Sequence, residues 1–312
     1  MKTKILVLAV LTFCTALIFT ACQKDSSTTK TSDESTQVST EADDQSTVSN
    51  ESDDAANDAE TMVEASASFS GRGYDVQSLI CDATVVADTS SNTWSLTFTF
   101  NGSASCFDNR TRTGVIVVSM PSNTRWKNAG AAITVTFQNY KVTRKADQKS
   151  VTLNGAITCT NVSGGLLLNL ASLHTITHTI TSTTMSITFD DGTQRTWQIA
   201  KQRTFTYDGG YVITSTGMHT DGNTTGIAIW GTNRYGKDFT WQITQPIVVR
   251  QNCDFRVVSG QVINTRPGAT ATATFGLDAS GNPTSCPGTG HYYMKIVWVN
   301  SNGVSATVIL PY

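Results

Sequence analysis

From residue 93 onward the chain alternates between apolar and polar side chains. Trp94, Leu96, Phe98 and Phe100 interleave with Thr93, Ser95, Thr97 and Thr99. Ile133, Val135 and Phe137 do the same, as do Met185, Ile187 and Phe189, and Phe239, Trp241 and Ile243. A period of two puts one face against a core and leaves a hydroxyl-rich face outward, as antiparallel sheets require. Short turn signals separate the runs: Asn101-Gly102, Asn154-Gly155, Asp191-Gly192, Asp208-Gly209, Asp221-Gly222 and Asn302-Gly303. Each pair tolerates the positive φ of a tight hairpin turn. Ser90-Ser91-Asn92 offers one more corner.

These signals predict an all-β body over 69–312, an antiparallel sandwich or stacked β layers built from hairpins. Strands of about 5–6 residues give roughly a dozen or more of them. Ser163-Gly164-Gly165 marks a candidate subdivision near 165–172. Thr196-Trp197-Gln198-Ile199 recurs as Thr240-Trp241-Gln242-Ile243, an echo of a hairpin repeat.

The pattern is absent before residue 69. Residues 22–68 are rich in Ser, Thr, Asp, Glu, Ala and Asn, and their sizeable apolar residues are Val38, Val48, Met62 and Val63. So little apolar surface predicts a disordered acidic linker that holds the body off a membrane. Charge divides sharply at this boundary. Residues 23–68 hold 12 acidic and 2 basic residues, a net of −10, whereas 69–312 hold 18 basic and 12 acidic residues, a net of +6. No glutamate occurs after residue 68. The basic residues are scattered, so the body shows no stripe for nucleic acid; its mild positive charge suits an acidic glycan or an anionic cell surface.

The first residues give an address. Lys2 and Lys4 precede the largely apolar run from Ile5 to Phe19, and Ala21 stands before Cys22. The run is too short to span a bilayer. The segment 1–21 resembles a bacterial lipoprotein signal peptide, which implies cleavage and lipidation, with palmitate or related chains, at Cys22. Gln23-Lys24-Asp25 resembles a surface-export signal, so the expected site is the outer membrane, facing outward.

Outside the cytoplasm, cysteines pair. Cys253 and Cys286 are the favoured bridge, Cys81 and Cys106 the second, and Cys159 is left as a buried thiol. No C-x-x-C is present, which argues against a zinc ribbon or thioredoxin-like centre. His174 and His178 read as tolerated imidazoles on a strand face, not as metal ligands. Asp190-Asp191-Gly192 and the stretch Asp278 to Asn282 read as turns, not as a catalytic pair or a calcium loop. No nucleophile-elbow, metalloprotease or phosphate-loop motif occurs.

Aromatic residues in polar surroundings remain as binding candidates: Trp126, Trp230 and Tyr235, which could stack on sugar rings. The run Cys106-Phe107-Asp108-Asn109-Arg110-Thr111-Arg112-Thr113-Gly114, with Asn139-Tyr140, Cys253, Ser259-Gly260 and Cys286, resembles a family of uncharacterised lipoproteins from the Bacteroidota. The resemblance covers most of 90–312 and implies no established activity. The expectation is a lipid-anchored, non-catalytic envelope protein without cofactors. It would bind a glycan or an envelope partner, or alternatively serve as a structural or accessory subunit of an outer-membrane complex. An aspartate-based glycan hydrolase is the lesser reading.

Overall fold

Among the described residues, fifteen antiparallel strands form one hydrogen-bonded sheet. They are β1 (Ala83–Asp88), β2 (Thr93–Asn101), β3 (Arg110–Pro121), β4 (Ala131–Arg144), β5 (Ser150–Asn161), β6 (Thr175–Phe189), β7 (Gln194–Tyr207), β8 (Tyr211–Gly217), β9 (His219–Asp221), β10 (Thr224–Thr232), β11 (Asp238–Arg250), β12 (Arg256–Arg266), β13 (Ala269–Leu277), β14 (Tyr293–Asn300) and β15 (Ser305–Pro311). This computed structural model describes residues 28–66, 69, 80–102, 110–288 and 290–312. It divides into two compact units, Met1–Asp44 and Gln45–Tyr312. The described residues of the first are helical.

Strands β1 to β7 pair in sequence order, and β11 to β15 do likewise. Between β7 and β11 lie two strands end to end. β8 pairs with the C-terminal halves of both neighbours, and β10 pairs with their N-terminal halves. The two Thr-Trp-Gln-Ile copies therefore flank β10 on either side. The subdivision near 165–172 is corrected: Gln45–Tyr312 is one compact unit, and β5 and β6 on either side of this point pair with each other. That segment holds a short connection, the 3-10 turn Leu167–Asn169 and helix Leu170–Leu173.

Predicted turns form at Asp191-Gly192, Asp208-Gly209, Asp221-Gly222 and Asn302-Gly303, each between paired strands. Asn154-Gly155 does not turn the chain; it lies inside β5, at a register shift between Gly155 and Ile157. Asn154 instead accepts the Asn139 amide at 2.7 Å. Comparable shifts lie in neighbouring strands, at Thr113/Val115 in β3, Phe137/Tyr140 in β4 and Thr181/Met185 in β6. Bulges bend strands, so a line of them bends β3 to β6 together. Gly114 sits on that line, where an added Cβ would lie 2.1 Å from the Asn139 carbonyl oxygen.

What the bend holds overturns the expected disordered linker. Residues Thr28–Ala65 form helix α1. At about 100° per residue, Val48, Ser52, Ala55, Ala59 and Met62 fall on one stripe, and all are buried. Val48, Ala55, Ala59 and Met62 join one core with Leu96, Val118, Ile133, Leu153 and Trp197 of the sheet. Alone, so short a stripe of mostly alanine would not hold a helix in water. The sheet supplies its apolar seat, and tertiary packing provides most helical stability in proteins.

The Cys253–Cys286 bridge forms, with Cα atoms 5.3 Å apart, and Cys159 is a buried free thiol. Closing a loop of 33 residues is worth about 3–4 kcal/mol by chain entropy. Cys106 lies outside the described residues, so its pairing with Cys81 stays an expectation, as does lipidation at Cys22, which also lies outside them.

Candidate binding groove

The flanks of α1 carry carboxylates, and each flank meets its own set of partners. On one side Arg110 of β3 reaches Glu51 at 2.8 Å and Asp54 at 2.7 Å. Arg112, 1% exposed, joins Asp58 at 2.6 Å and also pairs with buried Asp82. On the other side Arg203 of β7 reaches Asp53 at 2.9 Å, and Lys201 approaches it at 3.4 Å. Further along, His178 of β6 meets Glu60 at 3.2 Å, and Glu64 accepts the Leu167 amide at 2.9 Å. The strand alternation explains these partners. Arg195, Trp197, Ile199, Lys201, Arg203 and Phe205 occupy one face of β7, so its basic residues point inward with its apolar ones.

Burial and pairing pull the helix carboxyls in different directions. Desolvation raises Glu51, Asp58 and Glu64 above their ordinary range despite their partners. Burial opposes the charge on Asp53 too, but Lys201 and Arg203 outweigh it and hold this carboxyl low. Desolvation also pushes the Cys159 thiol well up, with Glu60 adding to the effect, which leaves it a poor nucleophile.

Beside α1 the sheet opens into a groove of about 920 Å³. The register places its floor. Phe205, Ile213, Val249 and Val257 are direct neighbours in one row across β7, β8, β11 and β12. A second row, His178, Arg203, Ser215 and Ile247, starts under the helix and runs outward. Asn50, Asp53, Asn57, Glu60 and Glu64 form the helix wall. Leu167 and Leu168 also line the groove, beside Glu64 and Ala65 of the helix. Phe255, 53% exposed, also lines the groove. Asp254 and Phe255 both have positive φ, 57° and 54°. Consecutive non-glycine residues in that region cost about 1–3 kcal/mol each and persist where surrounding structure enforces them. Here Cys253 is bridged to Cys286, and Arg256 donates to the Gly288 and Gly290 carbonyls.

The predicted binding aromatics do not converge here. Trp126 is fully buried, so its expected role on the surface is corrected: its ring packs against His178, 5.1 Å between centroids. Trp230 is half-buried and stacks on His219 at 3.9 Å, and Tyr235 is 40% exposed on the turn after β10. His178 shares its buried face with Ile176 and Ile180 as expected. His174 does not, because β6 begins at Thr175 and His174 caps the preceding short helix. Asp191 and Asp278 serve their turns, accepting amides of Thr193, Ser280 and Asn282.

The groove was missed because it needs α1, which the sequence reading left unfolded. The visible clue was β7, where strict alternation puts three basic side chains indoors and demands acidic partners. No family model, curated protein or solved structure matches the chain.

Proposed function

We propose that this chain is a non-catalytic binding protein, tethered by a lipid on Cys22 at the cell surface, whose ligand lies in the groove beside α1. One observation carries the reading: Ile213, Ile247, Val249 and Val257 of the groove floor stay partly exposed to solvent beside a helix that covers the neighbouring part of the sheet. At about 920 Å³ the groove falls within the range of small-molecule sites. The strained, exposed Phe255 on its rim adds support, since backbone strain of this kind gathers at ligand sites. The tether reading rests on the sequence before Cys22 and on its resemblance to lipoprotein signals.

The basic charge of the body gives little support to an acidic glycan. Arg110, Arg112, Arg195, Lys201 and Arg203 are turned inward toward α1 and are largely buried. The test uses the full chain with Cys22→Ser and N-phenyl-1-naphthylamine, a neutral apolar fluorophore. Saturable fluorescence gain is expected, weakened at least tenfold by Phe255→Ala or Ile247→Asp with an unchanged circular dichroism spectrum. Fluorescence that never saturates, or that both variants leave untouched, would remove the groove as the site.

A further inference from the structure

We infer that the groove selects an apolar chain carrying a positively charged amine, a cationic amphiphile; this rests on the groove being the binding site. The lining carries four carboxylates, Asp53, Asp54, Glu60 and Glu64, and a single strongly basic group, Arg203. Arg203 is already engaged by Asp53 at 2.9 Å and by the Asn57 side-chain oxygen at 2.9 Å, and it is 6% exposed. Among the described residues, an incoming anion therefore finds no cation in the lining outside an ion pair; Asp53 and Asp54 are likewise paired, with Arg203 and Arg110, which leaves Glu60 and Glu64 as the carboxylates that could meet a ligand.

Glu60 supplies the independent observation. It lines the groove and is 3% exposed. Its Oε2 faces His178 Nδ1 at 3.2 Å, yet its Oε1 is buried without a hydrogen-bond partner among the described residues. A buried acceptor left unpaired costs about 1–3 kcal/mol, more when it is charged. Glu64 lies one helical turn away, on the same flank of α1. Burial raises its carboxyl, and the Leu167 amide is its main hydrogen-bond donor. A protonated amine offers three donors and a compact charge, which suits these two carboxylates. The apolar row Phe205, Ile213, Val249 and Val257 then receives the chain.

The experiment displaces bound N-phenyl-1-naphthylamine with dodecylamine, dodecanol and dodecanoate at neutral pH, below their micelle-forming concentrations. Dodecylamine is expected to compete at least tenfold more tightly than either other chain. Glu64→Gln and Glu60→Gln should each reduce that advantage several-fold, read within each variant as the ratio of dodecylamine to dodecanol competition. If the fluorophore binds the groove but dodecylamine competes no better than dodecanol, the charge preference is wrong and the groove reading stands. An amine preference that survives both substitutions places the cation elsewhere and overturns the inference. If the fluorophore does not bind, the groove reading itself falls, and this inference with it.

Discussion

Strands β4 and β14 belong to the same sheet, and β14 is the richer in apolar residues, yet β4 buries its own more completely. Along β4, Ala131, Ile133, Val135 and Phe137 are buried and their neighbours are not. Along β14, all eight residues from Tyr293 to Asn300 are half-exposed, on both faces alike. Its neighbour β15 leaves Val308 and Leu310 at 45% and 39% exposure. Helix α1 contributes to the core that β4 joins, and among the described residues no element covers β14 and β15 comparably. Alternation in a sequence thus states which face could be buried. A second layer decides whether it is.

The largest expected effect lies where that second layer is electrostatic. Arg112 is 1% exposed between Asp58 and Asp82. Arg112→Ala leaves the buried Asp82 carboxylate, and the partly exposed Asp58, without their partner, and breaking a buried pair costs about 3–5 kcal/mol. Urea unfolding of the full chain checks it. A loss below about 1 kcal/mol would mean that α1 is held by its apolar stripe alone. Next comes the bridge at the other end of the sheet. Cys253→Ser with Cys286→Ser should cost about 3–4 kcal/mol and, because Asp254 and Phe255 are pinned beside it, should weaken fluorophore binding as well. Unchanged binding in the double variant would show that the strained rim holds itself.

Acidity should affect the helix-covered region in two opposite steps. Glu51 and Glu64 sit above their ordinary 4.5, and Asp58 above 3.8. The folded chain keeps these protons where the unfolded chain has released them, so stability falls as pH rises through the raised values. Asp53 is the reverse: it sits below 3.8, so the folded chain resists protonation there and stability is lost as pH falls past that point. These shifts predict a urea midpoint that rises on acidification from neutral toward 4.5 and drops below 3.8. Glu64→Gln should reduce the rise and leave the drop in place. A midpoint that declines steadily from neutral would contradict the burial assigned to these carboxyls.

The sheet was legible and its partner helix was not, for physical reasons that particular residues show. Trp94 to Phe100 and Ile133 to Phe137 alternate strictly because one face is buried. The Asp-Gly pairs at 191, 208 and 221 mark real turns because their side chains and positive φ suit nothing else as well. Helix α1 escaped because its buried stripe is mostly alanine and serine, Ser52, Ala55, Ala56 and Ala59, which carry little hydrophobicity each. Its acidic composition resembles that of a solvated spacer until the sheet is considered with it. The net charges of −10 and +6 describe, in part, the two sides of one set of ion pairs. The groove was less legible still, since it depends on β8 lying between β7 and β11, a pairing that no local pattern encodes.

The smallest expected effect, that of Leu310→Ala, is the cleanest test of the opening contrast when the same substitution at Leu153 is measured beside it. Leu153 of β5 is fully buried in the core that α1 shares, and Leu310 of β15 is 39% exposed. Both are strand leucines, Leu153 on a central strand and Leu310 on β15, which pairs with β14 alone. Leu153→Ala removes buried methyl groups and opens a cavity, which costs about 2–5 kcal/mol. Leu310→Ala trims a side chain already half in water, and surface changes of this kind stay within about 0.5 kcal/mol. Denaturant midpoints of the two variants measured side by side decide the matter. Should Leu310→Ala cost as much as Leu153→Ala, the C-terminal strands must be covered in solution, and the search would turn to what lies on them.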